Sequence, residues 1–115
     1  MDYQTITLEQ AEDIAVLTLN RPDKMNSLTT QMRAEIGFAM REAAKSARVV
    51  VLTGAGRAFC TGQDLGDAGS ATNVDLERSL RDEYVPMLEA IYDCPVPTIA
   101  AVNGPAAGAG ANLAL

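Results

Sequence analysis

The sequence predicts an α/β fold opened by a β-hairpin, and three observations carry that expectation. Two β-prone runs, Tyr3–Glu9 and Ile14–Leu19, stand at the start. Two further apolar runs, Val49–Leu52 and Thr98–Val102, each end in a loop of glycine and alanine. Helical periodicity fills the intervals between strands, which is the alternation of an α/β domain.

Tyr3-Gln-Thr-Ile-Thr-Leu-Glu9 alternates and reads as an edge strand, with Gln10–Asp13 as the turn and Ile14–Leu19 as hairpin partner. Asn20-Arg-Pro-Asp-Lys24 stops the second strand, since Pro22 cannot continue a ladder. Thr29 or Thr30 caps a helix that runs to about Ala47. Its apolar stripe is Met32, Ile36, Ala39, Met40, Ala43 and Ala47, with Arg33, Glu35, Arg41, Glu42 and Lys45 facing water. Val49–Thr53 is continuously apolar, as expected of a parallel strand covered on both faces. Gly66–Asn73 reads as a polar link. Leu76, Leu80, Leu88 and Ile91 keep helical spacing from about Val74 to Tyr92, where Pro86 must kink or split the helix. Asp93-Cys-Pro-Val-Pro97 ends it, and a second buried strand, Thr98–Val102, follows.

At 115 residues the chain is expected to form one domain, 1–115, and to hide about two-thirds of its unfolded surface. Aromatics are only 4% and tryptophan is absent, so alanine and small aliphatics must do the packing. A net charge of −6 speaks against a general nucleic-acid binder. No apolar run approaches the roughly 20 residues of a membrane span. Cys60 and Cys94 lack metal-ligand spacing and read as reduced thiols of a cytoplasmic protein; no metal site is expected. Histidine is absent, which removes every Ser-His or Cys-His arrangement, so an acid or base here must be Asp, Glu, Tyr, Lys or Cys. The chain stops at Ala111-Asn-Leu-Ala-Leu115, inside an apolar helical pattern with no stop signal, and is expected to be the front part of something longer.

The two loops are Thr53-Gly-Ala-Gly-Arg-Ala-Phe-Cys-Thr-Gly-Gln-Asp-Leu65 and Asn103-Gly-Pro-Ala-Ala-Gly-Ala-Gly-Ala-Asn-Leu113. A dinucleotide fingerprint fails at the first, because its third glycine would fall on Phe59, and no phosphate loop with Gly-Lys-Ser/Thr exists. Small residues allow tight turns and close packing in any protein. Two such loops on equivalent strand ends also suit something else. Each offers bare backbone N–H groups, and one from each loop could hold a single developing oxyanion.

The runs Leu19-Asn-Arg-Pro22 with Asn26-Ser-Leu28, Leu52-Thr-Gly54 with Arg57-Ala-Phe-Cys-Thr-Gly-Gln-Asp-Leu65, and Pro97-Thr-Ile-Ala-Ala-Val-Asn-Gly104 resemble the crotonase (enoyl-CoA hydratase/isomerase) superfamily. The resemblance covers essentially the whole chain with its motifs in order. Gly-Gln-Asp-Leu with Ala-Ala-Gly-Ala-Gly-Ala looks most like the enoyl-CoA and ring-epoxide isomerases of phenylacetate degradation. It implies the N-terminal part of a crotonase-like ββα-spiral, a single acyl-CoA-binding domain whose members are longer than this chain. It also implies assembly as a homotrimer or hexamer, with CoA as part of the substrate and no tightly bound cofactor.

By that resemblance the oxyanion donors are the N–H groups of Gln63 and Ala109, the second standing where many members have the middle glycine of Gly-Gly-Gly. CoA would run between Lys24, Met25, Ser27 and Leu28 on one side and Ala58, Thr61, Gly62, Gln63, Asp64 and Leu65 on the other, with Gly108 and Asn112 beside the second donor. Arg57 and Lys24 are the cations placed to meet CoA phosphates, or else are solvated surface charges. Gly66 stands where members often carry a lysine. Asp64 is expected to tie down its loop, since a carboxylate would repel an enolate.

Hydratases of the family carry a catalytic glutamate at the place of Asn112, and an amide exchanges no proton near neutral pH. This favours the isomerase type, whose acidic residue would lie past Leu115, with a hydratase next. A non-catalytic binding or assembly protein of the same fold is the rival from another class. RNA binding, known in one branch of the family, conflicts with the acidic balance.

Overall fold

A computed structural model describes residues 3–64 and 80–115. Strands β1 (Ile6–Ala11), β2 (Ile14–Leu19), β3 (Val49–Gly54) and β4 (Thr98–Ala100) form one sheet in the order β1-β2-β3-β4. The first pair is an antiparallel hairpin with Ile6 opposite Leu19. The other pairs are parallel, with Leu17 beside Leu52 and Leu52 beside Ala100. Helix α1 (Thr30–Ala43) makes the crossover from β2 to β3. A π-helical turn at Leu80–Tyr84 leads into α2 (Val85–Tyr92), and α3 (Ala109–Ala114) follows the second loop.

Thr29 is the cap of α1, its hydroxyl accepting from the Met32 N–H at 3.1 Å. The helix then lays Met32, Ile36, Ala39, Met40 and Ala43 onto Leu17, Leu19, Val50 and Leu52, all buried. Each large side chain removed from water in this way stabilises by about 1.5–3 kcal/mol. The helix ends at Ala43, four residues early, and Ala47 reaches the core from the turn that follows.

Several expectations are corrected. Arg33 and Glu35 do not face water; they are 3% and 8% exposed. The Glu35 carboxylate accepts from the N–H groups of Gln4 and Thr5 and from the Thr5 hydroxyl, so β1 begins at Ile6 and not at Tyr3. Burial pushes its pKa up, but the hydrogen bonds from Thr5, Gln4 and Gln31 outweigh this and hold it below the ordinary value. Strand β3 is not covered on both faces: Val50 and Leu52 are buried, whereas Val49 and Val51 are half-buried. The run Thr98–Val102 is not a buried strand either. Only Thr98–Ala100 is strand, at the edge of the sheet, with Ile99 54% and Val102 50% exposed. Helix α1 packs against β1 and β2, and an apolar run carries no record of which of its faces is covered. Pro86 sits in the first turn of α2, where a missing N–H costs little, and the π-helical turn precedes it. The link Gly66–Asn73 and the helix start at Val74, with Leu76, lie outside the described residues.

Candidate functional site

The first loop leaves the carboxyl end of β3 and is clamped by polar side chains. Asn26 is fully buried; its Oδ1 accepts from the Arg21 N–H at 2.8 Å, and its Nδ2 donates to the carbonyls of Ala55 and Ala58, both at 2.9 Å. Asn103, from the second loop, accepts from the Gly54 N–H at 3.0 Å and donates to Gly56 and Ala58. Further on, Arg21 Nη2 meets Asp64 Oδ2 at 2.9 Å, and the Ser27 hydroxyl lies 3.3 Å from the same oxygen. Asp64 therefore ties its loop down, as its chemistry led us to expect. The segment 25–28 is joined to 61–64 through Leu28 N–H to Gly62 carbonyl (2.7 Å), Asp64 N–H to Leu28 carbonyl (2.9 Å) and Thr61 Oγ1 to Met25 carbonyl (3.2 Å).

The second loop leaves the neighbouring parallel strand, β4, and lies directly on the first. The Phe59 N–H donates to the Pro105 carbonyl at 3.0 Å and the Ala107 N–H to the Cys60 carbonyl at 3.0 Å. Gly110 must be glycine for this approach, because a Cβ there would stand 2.1 Å from the Cys60 oxygen. Gly62 has φ +106° and turns the first loop against the second; a Cβ on it would be 3.7 Å from the Ala109 nitrogen.

The junction opens into a cleft of about 500 Å³ lined by Thr61, Gly62, Gln63, Gly108, Ala109 and Asn112 together with Tyr84, Met87 and Leu88. Among the described residues, the backbone N–H groups of Gln63 and Ala109 have no acceptor. Cys60 lies buried under the loop; burial pushes its thiol up, against a hydrogen bond from the Gly62 N–H, so it stays protonated near neutral pH.

The remaining expected site residues divide. Lys24 and Arg57 are exposed, are not among the residues lining the cleft, and make no ion pair among the described residues. Met25 and Ser27 are half-buried beside the loop, whereas Leu28 and Ala58 are buried, their carbonyls already committed to protein donors. Leu65 and Gly66 lie outside the described residues.

Sequence reasoning missed the far wall. Tyr84, 6% exposed, carries the Arg33 guanidinium over its ring at 4.4 Å, and its phenol oxygen accepts from Arg33 Nη1 at 3.2 Å. Arg33 also reaches the Leu28 carbonyl, Thr30 and, through an ion pair at 3.2 Å, Glu83. Burial raises the Tyr84 pKa, opposed by the nearby Arg33 charge. The only sequence signal was that Tyr84 falls four residues before Leu88, on one helical face. Asn26 and Asn103 stood inside the motifs quoted above, but their spacing does not say that one carbonyl, that of Ala58, receives both.

A mixed sheet whose parallel strand ends carry two facing small-residue loops defines the class of protein. The chain belongs to the enoyl-CoA hydratase/isomerase family, which it matches over residues 9–115. It is 59% identical over 115 residues to "Probable enoyl-CoA hydratase" of Rhodobacter capsulatus, covering all of this chain and 44% of that one. It is 42% identical over 107 residues to the 1,2-epoxyphenylacetyl-CoA isomerase of Escherichia coli, covering 89% and 41%. The crystal structure of an enoyl-CoA hydratase from Bacillus anthracis superposes with a TM-score of 0.89 at 31% identity, over 96% of this chain and 44% of that one. The fold is thus the crotonase fold, and the chain spans less than half the length of these relatives. Among the described residues no helix is long and apolar enough to cross a membrane, and no cluster of His, Cys, Asp and Glu stands ready to hold a metal ion.

Proposed function

We propose that this chain supplies the electrophilic half of an acyl-CoA enzyme site, in which the N–H groups of Gln63 and Ala109 hold a thioester oxygen as it becomes an enolate. The observation that supports this most directly is that both N–H groups lack an acceptor among the described residues while lining one cleft. Backbone donors in partly buried positions are rarely left unmatched, and a ligand oxygen would match both. Each such donor contributes about 3–4 kcal/mol of transition-state stabilisation. The acyl group would lie against Met87 and Leu88. CoA, as part of the substrate, would run past Met25 and Ser27 with Lys24 and Arg57 toward its phosphates. No tightly bound cofactor enters this reading.

An isomerase is favoured because Asn112 lines the cleft and an amide serves as neither general acid nor general base near neutral pH. Among the described residues lining the cleft there is no carboxylate, so the proton carrier comes from outside them. A hydratase is the second reading, supported by the printed name of the relative at 59% identity. Assembly as a homotrimer or hexamer belongs to the same proposal and rests on resemblance alone; a cytoplasmic location rests on reading Cys60 and Cys94 as reduced thiols.

Calorimetry of a saturated acyl-CoA thioester against the free acid tests the reading. The thioester should bind at least tenfold tighter, about 1.4 kcal/mol, because the nucleotide supplies remote binding energy. Equal affinity would overturn it. With an enoyl-CoA substrate, a moved double bond in the product marks the isomerase and a hydroxyacyl thioester the hydratase.

A further inference from the structure

The wall of the cleft opposite the two loops holds a polar group that neither donor pair nor CoA contacts account for. Tyr84 is 6% exposed. Its phenol oxygen accepts a hydrogen bond from Arg33, yet its own O–H proton has no acceptor among the described residues. The Arg33 guanidinium covers one face of the ring and fixes its place, being itself anchored to the Leu28 carbonyl and to Glu83. Arg33 does not line the cleft; Tyr84 does, together with the apolar side chains of Met87 and Leu88.

A buried hydroxyl left without an acceptor is destabilising, and pockets with a few fixed polar groups select ligands that satisfy them. Tyr84 is also the only titratable side chain among the described residues lining the cleft. Its surroundings keep it a neutral phenol, which is a donor and not a base.

We infer that Tyr84 is a specificity-determining residue whose O–H donates to an oxygen carried on the acyl group. The substrate class is then oxygen-bearing acyl-CoA thioesters in preference to their all-carbon counterparts. Arg33 is its positioning residue: by donating to the phenol oxygen it leaves the O–H proton directed away from itself. This inference rests on the acyl-CoA reading above. A site built to hydrogen-bond one substrate oxygen discriminates strongly against the analogue that lacks it, because the protein donor is then unmatched.

The test is calorimetric titration of the protein with saturated acyl-CoA thioesters that differ only by a hydroxyl at successive chain positions, each against its unsubstituted counterpart. At one position the hydroxyacyl thioester should bind at least tenfold tighter to the unmodified protein. Tyr84→Phe should reduce that ratio to within about twofold, a collapse of the hydroxyl preference at that one position that a merely structural role would not give. The unmodified protein alone decides the matter if the variant does not fold. Thioesters that bind with no hydroxyl preference at any position overturn the inference and leave the acyl-CoA reading standing; so does a preference retained in Tyr84→Phe. Failure of every thioester to bind overturns the acyl-CoA reading and this inference with it.

Discussion

The loop of residues 54–64 is held by side chains sent to it from other elements, whereas residues 103–110, beyond the Asn103 side chain at their start, are held by backbone contacts made where side chains are missing. Asn26, Asn103 and Arg21 grip the first loop through two amides and a guanidinium. The second loop receives no side-chain hydrogen bond from elsewhere among the described residues. Past its own Asn103 amide, it rests on the first through Phe59 and Ala107 N–H bonds and through the bare α-carbon of Gly110. Similar strings of glycine and alanine therefore do different work. In one loop they let the chain turn between polar anchors; in the other they let two backbones touch. The donors at Gln63 and Ala109 inherit their positions from these two kinds of support.

The sharpest way to break the contrast is Gly110→Ala. Its Cβ would stand 2.1 Å from the Cys60 oxygen and 2.6 Å from the Cys60 carbonyl carbon, both backbone atoms of the other loop. Neither can rotate away, so the loops must separate. A loss of about 3 kcal/mol is expected in urea unfolding. Gly37→Ala in α1 is the matched control. There the new methyl would meet Arg41 at 3.5 Å and Met87 at 4.0 Å, ordinary contacts, and alanine is the better helix former by up to about 1 kcal/mol. It should be neutral or stabilising. A Gly110→Ala variant as stable as Gly37→Ala would mean that backbone contact does not hold the second loop.

Next in size is Asn26→Ala. At this fully buried residue it strands the Arg21 N–H and the Ala55 carbonyl and leaves the Ala58 carbonyl to Asn103 alone, so about 2–3 kcal/mol should be lost. Asn103→Ala also removes three hydrogen bonds, but at an exposed residue whose former partners water can reach, and about 1 kcal/mol or less is expected. Because both amides donate to the Ala58 carbonyl, the two losses should not add, and a double-mutant cycle reads the coupling. Equal losses in the two single variants would show that burial does not set the strength of this clamp.

Much of this was legible from residue order. The hairpin and the α1 stripe from Met32 to Ala47 follow from periodicity, because a repeating pattern constrains many side chains at once, and the parallel strand at Val49 follows from its continuous apolar run. The two loops were legible as a pair because each follows a strand. What could not be read was lateral: that Glu35 turns inward to bind the backbone of Gln4 and Thr5, or that Arg33 stacks on Tyr84, 51 residues away. A charged residue on a helix looks solvated until its partner is known, and both partners come from segments with no local relation to it. The edge position of β4 escaped for a similar reason, since Thr98–Val102 and Val49–Leu52 both read as apolar, β-prone runs but have different neighbours.

The smallest expected effect is the most useful for deciding whether charge or shape holds the first loop. Arg21 and Asp64 meet at 2.9 Å with side chains 18% and 19% exposed, so water screens part of their attraction. Pairs of this kind are worth about 0–1 kcal/mol. Asp64→Asn keeps an oxygen for Arg21 and Ser27, and the Asp64 N–H bond to the Leu28 carbonyl belongs to the backbone and survives. The variant should therefore lose no more than about 1 kcal/mol. That loss should shrink as salt rises from about 0.01 M to about 1 M, over which the screening length falls from roughly 30 Å to 3 Å. The neutral Asn26 clamp is buried and uncharged, so the Asn26→Ala loss should not change with salt. An Asp64→Asn loss larger than that of Asn26→Ala would reverse the ranking: the loop would then be held chiefly by the ion pair at its far end, and the place of the Gln63 N–H would depend on ionic strength.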